Sequence, residues 1–468
     1  MKKLVIFFSS LFIATFAFGQ QFESTKDQVD TANKIHAKIG AAFLMEYQSI
    51  NNSATQPLVK LADGIPFPMA NMTVVGYMGP GLRLNMELYL ANPHHTNTYV
   101  KDGYLLIDRL DFLHCAVVDN LMKYVSLKVG DMEINYGDQH FRRNDGGNGI
   151  RNVFAGNTIM DAFMTAPGAE LNLNVNGLIA MVATCTGTIN QTLNSYNTTP
   201  YVNINGTSYF PNTVNKYNTY DQLAYYFKLG YDKKFSDDLR ARLMFSFYHC
   251  NNNQIGELYD GDRAGTDYQG VMSQIPNNAN PVKVIKNSIG TVINTPTDPT
   301  AENQMAGYWN PGDTYKDNSG MINLLLQFKG LEFFGTYERA TGSSSINRGL
   351  FDMTEIAAEL IYRFGPQKQF YGAARWDAVN NNRFSMYYNL SNGTVNTSNG
   401  PVNDMTNFQN AAISDGRAVE AYEIAAGWYL TKNIVAKVQY INQKYYDFTS
   451  EFGNGGFNGI TVQTVISF

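Results

Sequence analysis

The chain closes on Phe457 to Phe468, where Ile460, Val462, Thr464, Ile466 and Phe468 alternate with Thr461, Gln463, Val465 and Ser467. Successive side chains of a strand point to opposite faces, so one face of this segment suits hydrocarbon and the other water. As the open edge of a soluble sheet, so apolar a strand would template aggregation. In a closed barrel it pairs with the first strand and leaves no edge. The remaining segments are therefore expected to complete a cylinder.

The N-terminus agrees with export. Met1-Lys2-Lys3 is basic, Leu4 to Phe18 is apolar, and Ala17-Phe18-Gly19-Gln20 supplies small residues for cleavage, so residues 1–20 read as a signal peptide. Past it, no apolar run approaches the roughly 20 residues of a spanning helix; Gly177 to Cys185 is the longest. Membrane passage then falls to strands. With 30 Tyr and 29 Phe against 3 Trp, and a mean hydropathy of -0.26, the chain is rich in interfacial aromatics without being apolar on average. A net charge of -5 does not suit nucleic-acid binding. Cys115, Cys185 and Cys250 are odd in number and far apart, so no disulfide framework is expected.

Residues 21–36 read as a periplasmic lead-in and 37–468 as the barrel. Lys38 to Tyr47 presents Ile39, Ala41, Phe43, Met45 and Tyr47 to lipid. Ala70 to Met78 and Leu82 to Ala91, joined by Gly79-Pro80-Gly81, make a hairpin in which Leu84, Met86 and Leu88 alternate with Arg83, Asn85 and Glu87. Asp102 to Arg109 and Lys123 to Gly130 follow, linked by a short helix or turn. Short connections recur at Asn176-Gly177, Asp232 to Asp237, Lys329-Gly330, Gly365 to Lys368 and Thr431 to Asn433. Long polar segments intervene, above all 251–319, expected as an extracellular loop. Tight periplasmic turns with long outer loops define an all-β fold, a transmembrane antiparallel β-barrel of about sixteen strands.

The same alternation assigns an inner wall, with Arg83, Glu87, Lys128, Arg240, Arg242, Glu338, Glu359, Arg363, Arg375, Glu423 and Lys437 as pore-lining candidates. Residues 131–166 differ from the other loops: glycines punctuate acids and paired arginines, and the apolar run Ile150 to Phe163 follows. This segment is expected to fold inward and narrow the pore, making Asp138, His140, Arg142, Arg143, Asp145 and Arg151 the constriction candidates. Either Arg142 and Arg143 set a weak anion preference that grows as His140 protonates, or they pin the loop to inward carboxylates.

The run Gly130 to Arg143, the run Gly103 to Phe112 and the terminal Phe468 resemble the porin-like outer-membrane proteins of the Bacteroidota, distantly similar to the phosphate-selective porins O and P. The resemblance implies a trimeric diffusion channel. The sequence departs from phosphate-selective members in interleaving acidic and basic wall residues. The expected surroundings are outer-membrane lipid and lipopolysaccharide, the cargo small hydrophilic solutes, and no cofactor is required. A structural barrel serving a surface or secretion complex is the alternative. The six histidines are too scattered for a metal set, and no spacing supports a nucleophile with its base, so no enzymatic activity is expected.

Overall fold

A computed structural model of the chain describes residues 22–23, 35–66, 69–91, 95–187, 193–196, 202–204, 207–209, 216–219, 223–251, 256–259, 265, 267–273, 285–286, 292–294, 307–309, 314, 316–345, 348–384, 390–391, 394–397, 400–402, 417–448 and 453–468. The expected signal segment 1–20 lies outside the described residues.

Sixteen strands close into one antiparallel barrel. In order they are β1 (His36–Ala54), β2 (Met69–Gly79), β3 (Leu82–Ala91), β4 (His95–Ile107), β5 (Val125–Glu133), β6 (Thr165–Val175), β7 (Leu178–Cys185) and β8 (Ala224–Lys234). The second half comprises β9 (Leu239–Cys250), β10 (Lys316–Phe328), β11 (Leu331–Ser345), β12 (Arg348–Phe364), β13 (Phe370–Phe384), β14 (Ala418–Thr431), β15 (Ile434–Phe448) and β16 (Gly453–Ser467). Each bonds to its sequence neighbour, and β1 meets β16 with Phe43 opposite Ile466 and Tyr47 opposite Val462. The alternating C-terminal strand thus closes the cylinder and abolishes the edge.

The tight connections gather at the end where β1 begins and β16 stops. Between β6 and β7, Asn176 and Gly177 adopt φ of 52° and 93°, the doubly positive turn whose twist matches that of the flanking strands. The link from β4 to β5 holds a 3-10 turn, Asp111–Leu113, and a short helix, Ala116–Leu121. On the outer wall Ile39, Leu84, Leu229, Tyr337, Trp428, Tyr440 and Ile460 stand exposed, whereas Arg83, Lys228, Glu338, Gln439 and Thr461 are buried inside. A closed barrel with an apolar outer band is an outer-membrane barrel, and its short-turn end faces the periplasm. Cys115, Cys185 and Cys250 are unbridged.

Described parts of the loops occupy much of the interior. Residues 134–164, joining β5 to β6, are almost all buried. Segment 251–319, expected as an extracellular loop, does not lie wholly outside the barrel. Its described pieces at 256–259, 267–273 and 307–309 also enter the interior, where the Leu258 carbonyl accepts from Phe163 N–H at 3.0 Å. Tyr259, Tyr268 and Trp309 give the reason: their apolar area is buried against Tyr248, Met321, Met353 and Phe457 instead of facing water. Phe22 and Glu23, expected in a periplasmic lead-in, likewise reach inside, Phe22 packing on Leu325 and Phe334.

Leu229 faces lipid between the exposed rings of Tyr225 and Tyr231 on β8. Leu229→Arg is expected to lower the unfolding free energy by about 2–4 kcal/mol, while Leu229→Phe changes it little; denaturant titration in bilayers reads both. An arginine as harmless as the phenylalanine would place Leu229 off the lipid face.

Candidate pore constriction

Segment 134–164 turns into the barrel at Gly137, where φ is 70° and a β-carbon would overlap the Met321 side chain. Only glycine meets both demands. A chain inside a barrel has lost water, so its backbone groups need partners from the wall. The N–H groups of Ile159, Met160 and Ala155 donate to Asp377 at 2.6 Å, Glu355 at 2.9 Å and Gln439 at 2.7 Å. In return, the carbonyls of Gly156 and Asn157 accept from Arg375 at 2.9 Å, that of Val153 from the Tyr371 hydroxyl at 2.9 Å, and that of Phe154 from Lys437 at 3.2 Å. Strands β12, β13 and β15 therefore hold the second half of the loop by its main chain.

The first half is held by charge. Asp138 accepts two bonds of 2.7 Å from Arg242 and stands 3.0 Å from Lys228. Arg142 reaches Glu332 at 3.1 Å and Glu359 at 2.5 Å, its guanidinium 4.4 Å from the centre of the Phe334 ring. Arg143 pairs with Asp145 at 2.9 Å and with Asp161, and Asp145 also takes Lys101 at 3.0 Å. His140 sits between Glu133 at 2.5 Å and Asn135 at 3.1 Å. Burial would push the Asp138 carboxyl up, but Lys228 and Arg242 outweigh it and hold it well below the usual range. Burial likewise works against the Arg143 charge, and Asp145 and Asp161 more than restore it. At Asp267 the Lys437 charge is outweighed: burial and the Glu46 carboxylate push it well up.

Of the six constriction candidates, Asp138, Arg142, Arg143 and Asp145 are each in an ion pair, His140 is hydrogen-bonded to Glu133 and Asn135, and Arg151 is half-buried with no ion-pair partner among the described residues. They do not form one ring. Asp138 faces β8 and β9, Arg142 faces β11 and β12, and Arg143 and Asp145 close on the loop itself and on β4. Most of the wall candidates pair with carboxylates near them: Arg83 with Asp108 at 2.7 Å, Lys128 with Glu170 at 3.2 Å, Arg240 with Asp232 at 2.6 Å, Arg363 with Glu332 at 2.7 Å and Arg375 with Glu423 at 2.7 Å. Glu87 accepts from Asn71 at 2.8 Å, Glu338 from the hydroxyls of Tyr136 at 2.8 Å and Tyr259 at 2.6 Å, and Lys437 donates to Gln463 at 3.1 Å.

Sequence reasoning did not single out Lys101, Asp161, Asp267, Phe22 or Glu23. Lys101 is the extra residue of a bulge: Glu87 pairs with Asp102 and Leu88 with Val100, so Lys101 and Asp102 both turn inward and simple alternation breaks. Among the described residues no cluster could hold a metal ion.

No family model and no curated protein sequence matches the chain. Among solved structures, it is similar to the outer-membrane-expressed OmpT of Vibrio cholerae at 9% identity and a TM-score of 0.47, over 94% of this chain and 100% of that one. It is also similar to an anion-selective porin from Comamonas acidovorans at 8% identity and a TM-score of 0.46, over 93% and 100%. A third is the outer-membrane channel DcaP of Acinetobacter baumannii, at 9% identity and a TM-score of 0.43, over 93% and 97%. Similarity at this level bears on neither cargo nor selectivity.

A carboxyl whose folded pKa is depressed contributes stability that is fully present above its ordinary value near 4 and is lost as pH falls through the folded value. The Asp138 anchor is expected to hold throughout the neutral range. Asp138→Asn leaves Arg242 and Lys228 short of a charge and costs about 3–5 kcal/mol. The difference in unfolding free energy between wild type and variant should stay constant from about pH 8 to about pH 5 and shrink only below about pH 4. A difference that shrinks above pH 5 would contradict the assignment.

Proposed function

We propose that the protein is a non-enzymatic outer-membrane channel that passes small hydrophilic solutes along a narrow aqueous path set by segment 134–164. The supporting observation is the chemistry of the wall, on which the ionisable side chains of Arg83, Lys228, Arg242, Glu332, Glu359, Arg375 and Glu423 are all buried. A barrel needed only for rigidity would do as well with apolar filling, because desolvating a buried ion pair offsets most of what the pairing returns. Charged side chains around a loop are instead the lining of an ion pathway. The assembly expected is a homotrimer in outer-membrane lipid and lipopolysaccharide, exported by the signal segment 1–20.

The weak anion preference expected of Arg142 and Arg143 finds no support in this geometry, because each arginine is committed to two carboxylates. Their role in this reading is the pin. A second reading, a structural barrel serving a surface or secretion complex, is favoured by one observation. Tyr136, Ile159 and Met160 of the loop pack with Tyr248, Met321 and Met353 of the wall into an apolar cluster.

Single-channel recording in planar bilayers separates these readings. The wild-type protein is expected to conduct, and Arg142→Gln with Arg143→Gln to raise conductance at least about twofold, with added noise as the loop loosens. Unchanged conductance with a shifted reversal potential would move the two arginines from pin to selectivity filter. A wild-type barrel that folds and never conducts would favour the scaffold.

A further inference from the structure

Three carboxylates surround Arg242. Its Nε and one terminal nitrogen hold Asp138 at 2.7 Å each, its two terminal nitrogens reach Glu23 at 2.8 and 2.7 Å, and one of them also meets Asp232 at 3.2 Å. Lys228 stands 3.3 Å from the same Glu23 carboxylate. Both cations are buried to within 1% of their surface. The face of the guanidinium is covered as well: the Phe22 ring centre lies 4.1 Å from Arg242 and 5.4 Å from Arg240. That ring meets Phe141 edge-on at 5.7 Å and packs on Leu325 and Phe334.

Without Phe22 and Glu23 this part of the interior is unbalanced. Among the described residues, Lys228 and Arg242 would keep only Asp138 and the Asp232 carboxylate that Arg240 also holds. The two guanidinium N–H groups that hold Glu23 would lose that acceptor in a recess lined by Phe141, Leu325 and Phe334, while Lys228 would keep Asn135 at 2.6 Å and Asp138 at 3.0 Å; a buried charge short of a partner is costly. Glu23 meets the edge of the guanidinium and Phe22 its face, so the site recognises a carboxylate and a ring together.

We infer that this recess, near the short-turn end of β8 and β9, is a binding site for small carboxylates that carry an apolar ring, and that Phe22 and Glu23 are its built-in, displaceable occupant. The inference deepens the channel reading by naming a solute class, and rests on that reading only for its effect on flow. Phenylacetate offers the same two parts as the dipeptide. Acetate and inorganic phosphate lack the ring and leave Phe141, Leu325 and Phe334 uncovered.

The test is calorimetric titration of the purified full chain in detergent with phenylacetate, acetate and inorganic phosphate. A site filled by its own chain shows an affinity reduced by the fraction of molecules in which it is free, so Phe22→Ala with Glu23→Gln is expected to bind phenylacetate at least about tenfold more tightly than wild type. Glu23→Gln alone moves in the same direction by less, and Lys228→Gln added to the double variant removes the gain. On the double variant, acetate and phosphate bind at least about tenfold more weakly than phenylacetate. Equal phenylacetate affinity in wild type and double variant overturns the inference, as does phosphate binding as tightly as phenylacetate. Calorimetry needs no current, so an electrically silent protein that shows the tenfold gain sinks the channel reading and leaves the site standing.

Discussion

A main chain buried inside a barrel must find a hydrogen-bond partner for nearly every peptide group, and the rest of this structure follows from that demand. Segment 134–164 cannot form a ladder of its own within the cylinder, so the wall supplies the partners one side chain at a time. Asp377 and Glu355 accept from consecutive N–H groups of Ile159 and Met160, and a single guanidinium, Arg375, donates to the carbonyls of Gly156 and Asn157. The polar inner face is thus matched to a particular backbone path. A rearranged loop would leave these groups unpaired in a site with little water, at a cost of about 1–3 kcal/mol for each.

Charge then closes what hydrogen bonding begins. Arg142 and Arg143 look from sequence like a cationic eyelet, but a guanidinium this far from water requires carboxylates, and Glu332, Glu359, Asp145 and Asp161 provide them. Arg242 carries the arrangement furthest, because Asp138 of the loop and Glu23 of the N-terminal segment share its donors. Any movement of one changes the field felt by the other, so the N-terminal segment and segment 134–164 are physically coupled through one side chain.

Much of the barrel was legible because a strand has period two: Leu84, Met86 and Leu88 against Arg83, Asn85 and Glu87 state the two faces without further information. The inward loop was legible from its glycines, its paired arginines and the apolar run behind them. What the residues hold was not. Arg142 meets Glu332 across 190 positions and Arg242 meets Glu23 across 219, and no periodicity links such pairs. The bulge that turns Lys101 inward interrupts the very alternation by which faces are read. The inward pieces of 251–319 were hidden by the polar residues around them, although Tyr259, Tyr268 and Trp309 carried the signal that part of this segment is buried.

The central claim is that segment 134–164 is fastened to the inner wall by its own peptide groups. Amide hydrogen exchange on the folded protein in detergent tests it most directly, because protection reports the free energy needed to break each bond. The N–H groups of Ala155, Ile159 and Met160, which donate to Gln439, Asp377 and Glu355, are predicted to exchange as slowly as the amides of β9 and β12. Exchange of those three at the rate of an exposed loop, with the wall still protected, would contradict the account.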